Sequence, residues 1–158
     1  MPLPTSITAR LEHQHKSLFD LIEGLSDVEI RRQIVPGKWS IFENIVHLST
    51  YQHAFLHRIN KIASEENPKF PRYTAESDPL FYDNCGKATK LILQDLIVTR
   101  NALITEILSL DNDSIHRTGE HPLFGKMNVV QWLNFFLLHE AHHLFTIFKL
   151  IPGLHREP

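Results

Sequence analysis

The sequence has little cysteine and no long apolar run. Cys85 is the single cysteine among 158 residues, which excludes an intramolecular disulfide and a zinc site built from four cysteines. No apolar run approaches the ~18 residues that a membrane-spanning helix needs. The N-terminal residues 1–6 lack the basic segment that precedes the apolar core of a signal peptide. These absences predict a cytoplasmic protein that does not enter a membrane.

The sequence also has no large excess of positive or negative charge. Lys and Arg number 16 against 18 Asp and Glu, for a formal net charge of -2, and they form no local cluster. We therefore expect no nucleic-acid partner. Hydrophobic residues make up 42% of the chain, enough for a single domain with its own core over residues 1–158. Histidine is abundant, with 11 residues, but composition alone does not explain why.

Apolar residues recur at helical spacing in four segments, and no segment shows strand-like alternation. The predicted helices cover residues 6–25, 40–62, 87–110 and 128–151. Four helices of about 20 residues predict an all-α four-helix bundle. The longest irregular stretch, residues 64–86, is long enough to run back along a helix, which allows the second and third helices to be parallel.

Local signals mark the helix ends. Thr5 or Ser6 is expected to cap the first helix. Residues 40–43 read Ser-Ile-Phe-Glu and residues 128–131 read Asn-Val-Val-Gln, both with the spacing of a capping box. Residues 151–153 read Ile-Pro-Gly, a strong stop signal for the fourth helix.

Periodicity also predicts which side chains are buried. His13 lies outside the apolar stripe of the first helix and His15 lies at its edge, so both are interpreted as surface or boundary histidines. The apolar face of the third helix is expected to comprise Ala88, Leu91, Ile92, Leu96, Leu103, Ile107 and Leu110.

Three histidines and a glutamate lie within an otherwise almost wholly apolar stretch, residues 134–145. Projection onto a helix turns His139, Glu140 and His143 toward the apolar stripe and His142 away from it. His139 and His143 have i, i+4 spacing, which lets two imidazoles of one helix face bind one metal ion. The alternative is that both are core histidines bonded to other side chains.

A third ligand is expected from another helix. His47 lies on the flank of the apolar stripe of the second helix, near Asn44 and Tyr51. His53 and His57 also have i, i+4 spacing but project onto the polar face, where a solvated pair is expected. Three histidines from two helices leave positions open for water or substrate, which is typical of a catalytic site. An ion held by neutral ligands keeps its full charge and is a strong Lewis acid.

Two other motifs compete for the same residues. Residues 139–143 match H-E-x-x-H, the zinc metalloprotease helix, but few residues follow the helix stop to supply a third ligand, and no substrate-binding strand is predicted. Residues 140–143 resemble half of a di-iron site, which needs a second E-x-x-H on another helix. The second helix has E-x-x-x-H at residues 43–47, which is the wrong spacing.

Three short motifs together resemble those of a known family. Residues 36–48 read Pro-Gly-Lys-Trp-Ser-Ile-x-Glu-x-x-x-His-Leu, residues 121–125 read His-Pro-x-Phe-Gly, and residues 139–144 read His-Glu-Ala-His-His-Leu. The motifs and the order in which they occur resemble those of the DinB/YfiT-like family of metal-binding four-helix bundles. The resemblance covers nearly the whole chain. The resemblance implies an up-down-down-up topology with a long crossover between the second and third helices.

The resemblance also implies a divalent metal ion bound by His47, His139 and His143. Imidazole suits several metals, and zinc, nickel or iron is expected. Family members commonly form homodimers, which agrees with the outward positions of Leu138 and Phe145. The relatives include thiol-dependent S-transferases and isomerases, and others are described as metal-dependent hydrolases.

Our first hypothesis is therefore a metal-dependent enzyme, a thiol-dependent S-transferase or a hydrolase. Its ion would activate a low-molecular-weight thiol or a water for attack on a small-molecule substrate. Glu140 is expected to orient a ligand imidazole or to act as a base, and Asn44 and Tyr51 are expected to line the pocket. The alternative is a non-catalytic metal-binding bundle that acts through a dimer surface.

Overall fold

Four long helical segments run through residues 3–155, the part of the chain that the computed structural model describes. The first combines α1 (Thr5–His13), a 3₁₀ turn (Gln14–Lys16) and α2 (Ser17–Ile22), and the others are α4 (Ile41–Ser64), α6 (Thr89–Ser109) and α8 (Val129–Leu154). The connections contain α3 (Asp27–Arg31), α5 (Pro79–Cys85), α7 (Asn112–His116), β1 (Thr118–His121) and β2 (Gly125–Asn128). The predicted four-helix bundle is confirmed. Among the described helices, none joins enough length to enough apolarity to span a bilayer.

The apolar core consists of two clusters. One joins the N-terminal parts of α4 and α6 to the C-terminal part of α8, and the other joins the C-terminal parts of α4 and α6 to the N-terminal part of α8. α4 therefore runs alongside α6 in the same direction and against α8. The full up-down-down-up order stays a prediction.

Buried polar groups separate the two clusters. Arg100 of α6 has no exposed surface and forms an ion pair with Glu140 of α8, which is 3% exposed. The Nε of Arg100 donates to Gln52 of α4 at 2.5 Å, and its Nη1 donates to the carbonyl of Leu11 in α1 at 3.1 Å. We call Arg100, Glu140, Gln52 and His15 the polar layer. It connects all four long segments.

The first segment is not the continuous helix that its periodicity predicts over residues 6–25. In a continuous α-helix the carbonyl of Leu11 would accept a hydrogen bond from the amide of His15. Here this carbonyl lies at the break in the helix and accepts from the side chain of Arg100. The 3₁₀ turn brings the imidazole of His15 into the core, where its Nδ1 lies 3.4 Å from Nη1 of Arg100. His13 is exposed, but the interpretation of His15 as a surface or boundary residue is wrong.

Helix starts were predicted better where a capping box is present. Both predicted boxes, at residues 40–43 and 128–131, are formed. α1 has Pro4 as its N-cap and no side-chain cap, so the prediction of a cap at Thr5 or Ser6 is wrong.

The fourth long helix continues past its predicted stop at residues 151–153. Pro152 lies inside α8, which ends at Leu154. Leu154 is buried in the core, and its carbonyl accepts from the side chain of Arg32. These contacts offset the backbone hydrogen bond that a proline cannot donate.

The apolar face predicted for α6 is partly correct. Ala88 precedes the helix as its N-cap, and Leu91 is 55% exposed. Val98 is 60% exposed, so α6 carries apolar side chains on a second face and spacing alone does not identify the buried one. The correctly predicted buried residues are Ile92, Leu96, Leu103 and Ile107.

A β-hairpin precedes α8, although no strand was predicted. β1 and β2 pair antiparallel, with Gly119 opposite Met127. A Cβ at Gly119 would lie 2.8 Å from atoms of Ile62 and Phe70, so only glycine lets the hairpin approach α4 this closely. Each strand has four residues, too few to show an alternating pattern.

The connection between α4 and α6 is not wholly irregular. Its α5 begins at Pro79, a residue compatible with a first turn, and Asp78 caps this helix by accepting from the amide of Leu80. Earlier in the connection, Glu120 of β1 exchanges backbone hydrogen bonds with Pro68 and Phe70, at 2.8 and 3.1 Å. The hairpin therefore holds this connection against the bundle.

Burial of His15 makes the stability of the protein depend on pH. Burial, and secondarily the charge of Arg100, lowers the pKa of His15 from 6.5 to about 4. The unfolded chain therefore binds an extra proton as pH falls from about 6.5 to about 4, so the folded state loses stability in this range. With chelator present, the unfolding free energy of wild type should fall between pH 7 and pH 5. The fall in His15→Gln is expected to be smaller by about 1–2 kcal/mol. Urea denaturation at each pH measures the difference.

The exposed neighbour provides the control for this measurement. His13→Gln removes an imidazole whose side chain is 65% exposed and should follow the wild-type pH dependence. Equal pH dependence in His15→Gln and wild type would contradict the assignment of a neutral, buried His15.

Candidate metal centre

A turn before α4 places Trp39 beside the site. Residues 35–38 form a β-turn closed by a backbone hydrogen bond of 3.1 Å. Gly37 has φ of 71°, as the second central residue of a type II turn requires, and Pro36 suits the first. The chain then presents Trp39 to His47, with ring centroids 5.1 Å apart.

The first turns of α4 position Asn44 and His47. Ser40 and Glu43 exchange side-chain to backbone hydrogen bonds in the capping box. The side chain of Asn44 donates to the carbonyl of Ser40 at 2.8 Å. His47 follows on the same side of α4 and is 5% exposed. The sequence of the helix start therefore determines where both side chains lie.

Three imidazoles from α4 and α8 meet between these helices. One ring nitrogen from each of His47, His139 and His143 lies within 4.8 Å of the other two, a grouping that could hold a metal ion. We call these residues the histidine triad. His142 is exposed to solvent, as helical projection predicted. The structure thus brings together the three residues that the sequence analysis selected as ligands.

The histidine triad is uncharged. Burial lowers the pKa of His47, His139 and His143 from 6.5 to about 3, and repulsion from neighbouring imidazoles acts in the same direction. Neutral imidazole is the form that binds metal ions, because its lone pair is available.

Asn44 determines which nitrogen of His143 carries the proton. Because its amide nitrogen donates to Ser40, its Oδ1 faces His143 and accepts from Nδ1 at 2.9 Å. The lone pair of His143 is then on Nε2. Metal-binding histidines commonly have such a partner on the other nitrogen. Asn44, predicted to line the pocket together with Tyr51, instead borders a separate cavity with His142 and Thr146 and is not among the residues that line the cavity of Tyr51.

The donor set fits a divalent metal ion better than it fits hydrogen bonding within the protein. Nε2 of His47 lies 3.0 Å from Nε2 of His139, and both Nδ1 atoms are buried without a partner. Among the described residues, no other side chain satisfies either ring, which argues against two ordinary core histidines. Two nitrogens bound to one zinc ion at about 2.0–2.1 Å are about 3.3 Å apart, close to the spacing seen here.

A cavity of about 580 Å³ opens beside the histidine triad. Tyr51 lines it, as predicted, with its ring centroid 4.3 Å from that of His139. Arg58 follows on the same side of α4, so helical periodicity contained the signal for this residue. Periodicity gave no signal for most of the other wall residues, because they lie in connections between the long helices. Phe135 lies on α8 but was not predicted to line the pocket. These wall residues include Trp39, Arg72, Tyr73, His121, Phe124 and Phe135.

Glu140 does not line this cavity. Its Oε1 pairs with Arg100, and its Oε2 accepts from Gln14 at 2.9 Å. Consecutive residues of a helix point in different directions, so His139 faces the triad while Glu140 faces the polar layer. This placement gives no support to a role for Glu140 as a catalytic base or as a partner of a ligand imidazole.

The second i, i+4 pair lies apart from the triad. His57 is exposed, as predicted. His53 is less solvated than predicted, because its Nε2 lies 2.9 Å from Asp95 and 3.2 Å from Thr99 of α6. These contacts account for its imidazole without a metal ion.

Fold and site together define a class of helical bundles with a three-histidine centre between two long helices. The sequence model of the DinB superfamily matches residues 10–147, and the chain belongs to this superfamily. YuaE of Bacillus subtilis (strain 168), an uncharacterised protein, is 28% identical over 138 residues, covering 78% of this chain and 83% of YuaE.

Two solved structures share the fold. YfiT from Bacillus subtilis, described as a probable metal-dependent hydrolase with an unusual four-helix bundle topology, has a TM-score of 0.81 at 19% identity, covering 96% of this chain and 87% of YfiT. TT2238, described as a four-helix bundle protein, has a TM-score of 0.67 at 20% identity, covering 91% of this chain and 97% of TT2238. Identities this low support a shared fold only.

Removal of the Glu140 carboxylate should destabilise the protein strongly. Glu140→Ala leaves the buried guanidinium of Arg100 without its counter-ion, at a cost of about 3–5 kcal/mol of unfolding free energy. Urea denaturation in chelator measures this loss. Glu66→Ala, at an exposed position, should change stability by less than about 0.5 kcal/mol.

A double substitution tests whether the charge is the cause. Arg100→Met combined with Glu140→Leu removes both charges and should recover much of the loss. A Glu140→Ala variant as stable as Glu66→Ala would contradict the structural role of the ion pair.

Proposed function

We propose that the protein is a metal-dependent enzyme whose histidine triad holds a divalent ion, with zinc, nickel or iron expected. The observation that carries the proposal is the meeting of three neutral imidazoles, two of them without other partners in the described part of the chain, at the wall of a cavity. The description of YfiT as "a probable metal-dependent hydrolase" supports the same class of activity.

The reaction proposed is nucleophilic attack on a small-molecule substrate in the cavity. A divalent ion with three neutral protein ligands lowers the pKa of a nucleophile, which is water in a hydrolase and a low-molecular-weight thiol in an S-transferase. The cavity of about 580 Å³ has room for a small substrate.

Residues of the chain orient the site and limit its contact with solvent. Asn44 holds the proton of His143 on Nδ1 and so leaves the Nε2 lone pair for the metal ion. Trp39 packs against both His143 and Phe81, with ring centroids 6.1 and 5.2 Å apart, and covers one side of the triad.

Metal content of single variants tests the proposal. The purified wild-type protein is expected to bind about one divalent ion per chain, as a three-histidine site implies. His143→Ala should lose the ion, while His142→Ala, which removes the adjacent exposed imidazole, should keep it. Asn44→Ala should bind the ion about 10–100-fold more weakly. Elemental analysis and metal titration give these values, and equally low metal content in wild type and His143→Ala would refute the site.

We also propose that the protein forms a homodimer through the outer face of α8. The non-catalytic alternative uses the same face as its interaction surface. Leu138, Phe145 and Phe148 are 64%, 59% and 56% exposed, and the two phenylalanine rings stack. Isolated exposed apolar residues are ordinary, but several on one helix face favour an interface. If the bundle acts only through this face, chelation should lower the melting temperature without affecting any activity.

Substitution of the outer face tests the dimer. Phe145→Asp places a charge in the proposed interface and should convert a dimer into a monomer, measured by light scattering after size exclusion. Val98→Asp is the control, because Val98 is equally exposed, at 60%, but lies on α6. A wild-type monomer, or equal effects of both substitutions, would contradict the interface.

A further inference from the structure

Arg58 is a buried cation at the wall of the cavity. Its side chain lines the cavity, and the residue is only 6% exposed. One Nη atom donates to the carbonyl of Pro71 at 3.0 Å, and the guanidinium lies 5.5 and 5.6 Å from the ring centroids of Phe70 and Trp132. Among the described residues, no carboxylate lies within 4 Å of Arg58.

This arrangement leaves the charge of Arg58 incompletely compensated. One carbonyl and two aromatic faces interact favourably with a guanidinium, but a buried cation is normally paired with an anion. Arg100 of the same protein illustrates the usual solution, an ion pair with Glu140. No Asp or Glu is among the residues that line the cavity, so the described wall supplies no anion of its own.

Tyr51 places its hydroxyl beside Arg58, close enough for the guanidinium to interact with the phenol oxygen, and the proton of the phenol remains free. The residue is 3% exposed, and its hydroxyl is buried without a partner in hydrogen-bond geometry. A phenol carries its proton at neutral pH, so this hydroxyl can donate a hydrogen bond to a ligand.

His121 presents a further hydrogen-bond donor. Its Nδ1 accepts from the backbone amides of Leu123 and Phe124, at 3.1 and 3.2 Å, within the turn of the hairpin. Burial, and secondarily the charge of Arg58, lowers the pKa of His121, so the ring is neutral and its proton is on Nε2. His121 also lines the cavity.

We infer that the cavity binds a small carboxylate with an apolar body, whose carboxylate is held by Arg58 with donors from Tyr51 and His121. Arginine is suited to a carboxylate, because its fork of N–H groups donates two parallel hydrogen bonds. Arg72, at the exposed part of the wall, adds positive charge, and Phe124 and Phe135 offer apolar contacts. The inference rests on the proposed function in one respect, that the same molecule is the substrate attacked beside the triad.

Ligand binding to metal-free protein tests the inference. Benzoate, phenylacetate and phenylpropionate serve as probes, each compared with its neutral amide by calorimetry after metal is removed with chelator. Wild type is expected to prefer at least one acid over its amide by about tenfold, the usual effect of a charge-assisted hydrogen bond. Arg58→Gln should abolish this preference. Arg117→Gln should keep it, because Arg117 also donates to backbone carbonyls but lies away from the cavity.

One further variant separates the carboxylate site from the fold, and the metal-free assay itself separates it from the metal ion. Tyr51→Phe removes one buried oxygen and should weaken binding of the acid without changing binding of the amide. Tyr51→Phe carries the test if thermal unfolding shows that Arg58→Gln does not fold.

Three outcomes would overturn the inference. The first is that metal-free wild type binds no acid at millimolar concentration. The second is a preference for the acid that is unchanged in Arg58→Gln. The third is a preference that is absent from metal-free protein and appears when the measurement is repeated after metal is restored. The last outcome would mean that the carboxylate binds the ion itself. Because the measurement uses metal-free protein, its result is independent of whether the triad binds metal, which elemental analysis decides.

Discussion

The buried guanidinium of Arg100 imposes the constraint on which the bundle depends. It has no access to water, so its charge and its donors require partners from the chain. Glu140, Gln52 and the carbonyl of Leu11 provide them, one from each of the other long segments. No helix can slide or rotate without losing one of these contacts. Apolar replacement of a buried ion pair is often neutral or stabilising, so we regard this pair as setting helix positions more than adding stability.

The same constraint positions the histidine triad. Glu140 and His139 are adjacent in α8, so the rotation that directs the carboxylate to Arg100 also directs His139 toward His47. Both sites lie between the same two apolar clusters, but they differ in how their polar groups are satisfied. Arg100 receives a carboxylate and a carbonyl from the chain, whereas Nε2 of His47 and Nε2 of His139 face each other at 3.0 Å and can share only one hydrogen bond. The first arrangement is complete without a ligand, and the second is suited to a metal ion.

The range of each interaction explains what the sequence could predict. Capping boxes and the inward face of α8 depend on residues a few positions apart, so the starts of α4 and α8 and the directions of His139, His142 and His143 follow from the local sequence. The break in the first helix and the burial of His15 depend on Arg100, a partner 85 residues away, and no local pattern indicates it. Glu140 was placed in the core correctly but given a role in the site, because projection onto one helix cannot identify its partner on another. The four-residue strands were missed because alternation needs greater length.

Arg58 and Arg100 meet the same physical problem in different ways. Both are buried arginines near aromatic rings, but only Arg100 has a carboxylate partner in the described structure. A carboxylate from the chain beside Arg58 would stabilise the guanidinium and would also close this part of the cavity to anions. Without it, the positive charge of Arg58 remains available to a ligand and would add to the charge of an ion bound at the triad. If the triad binds the proposed ion, the two charges would border the same cavity and would favour a molecule with a negatively charged group over a neutral molecule of the same shape.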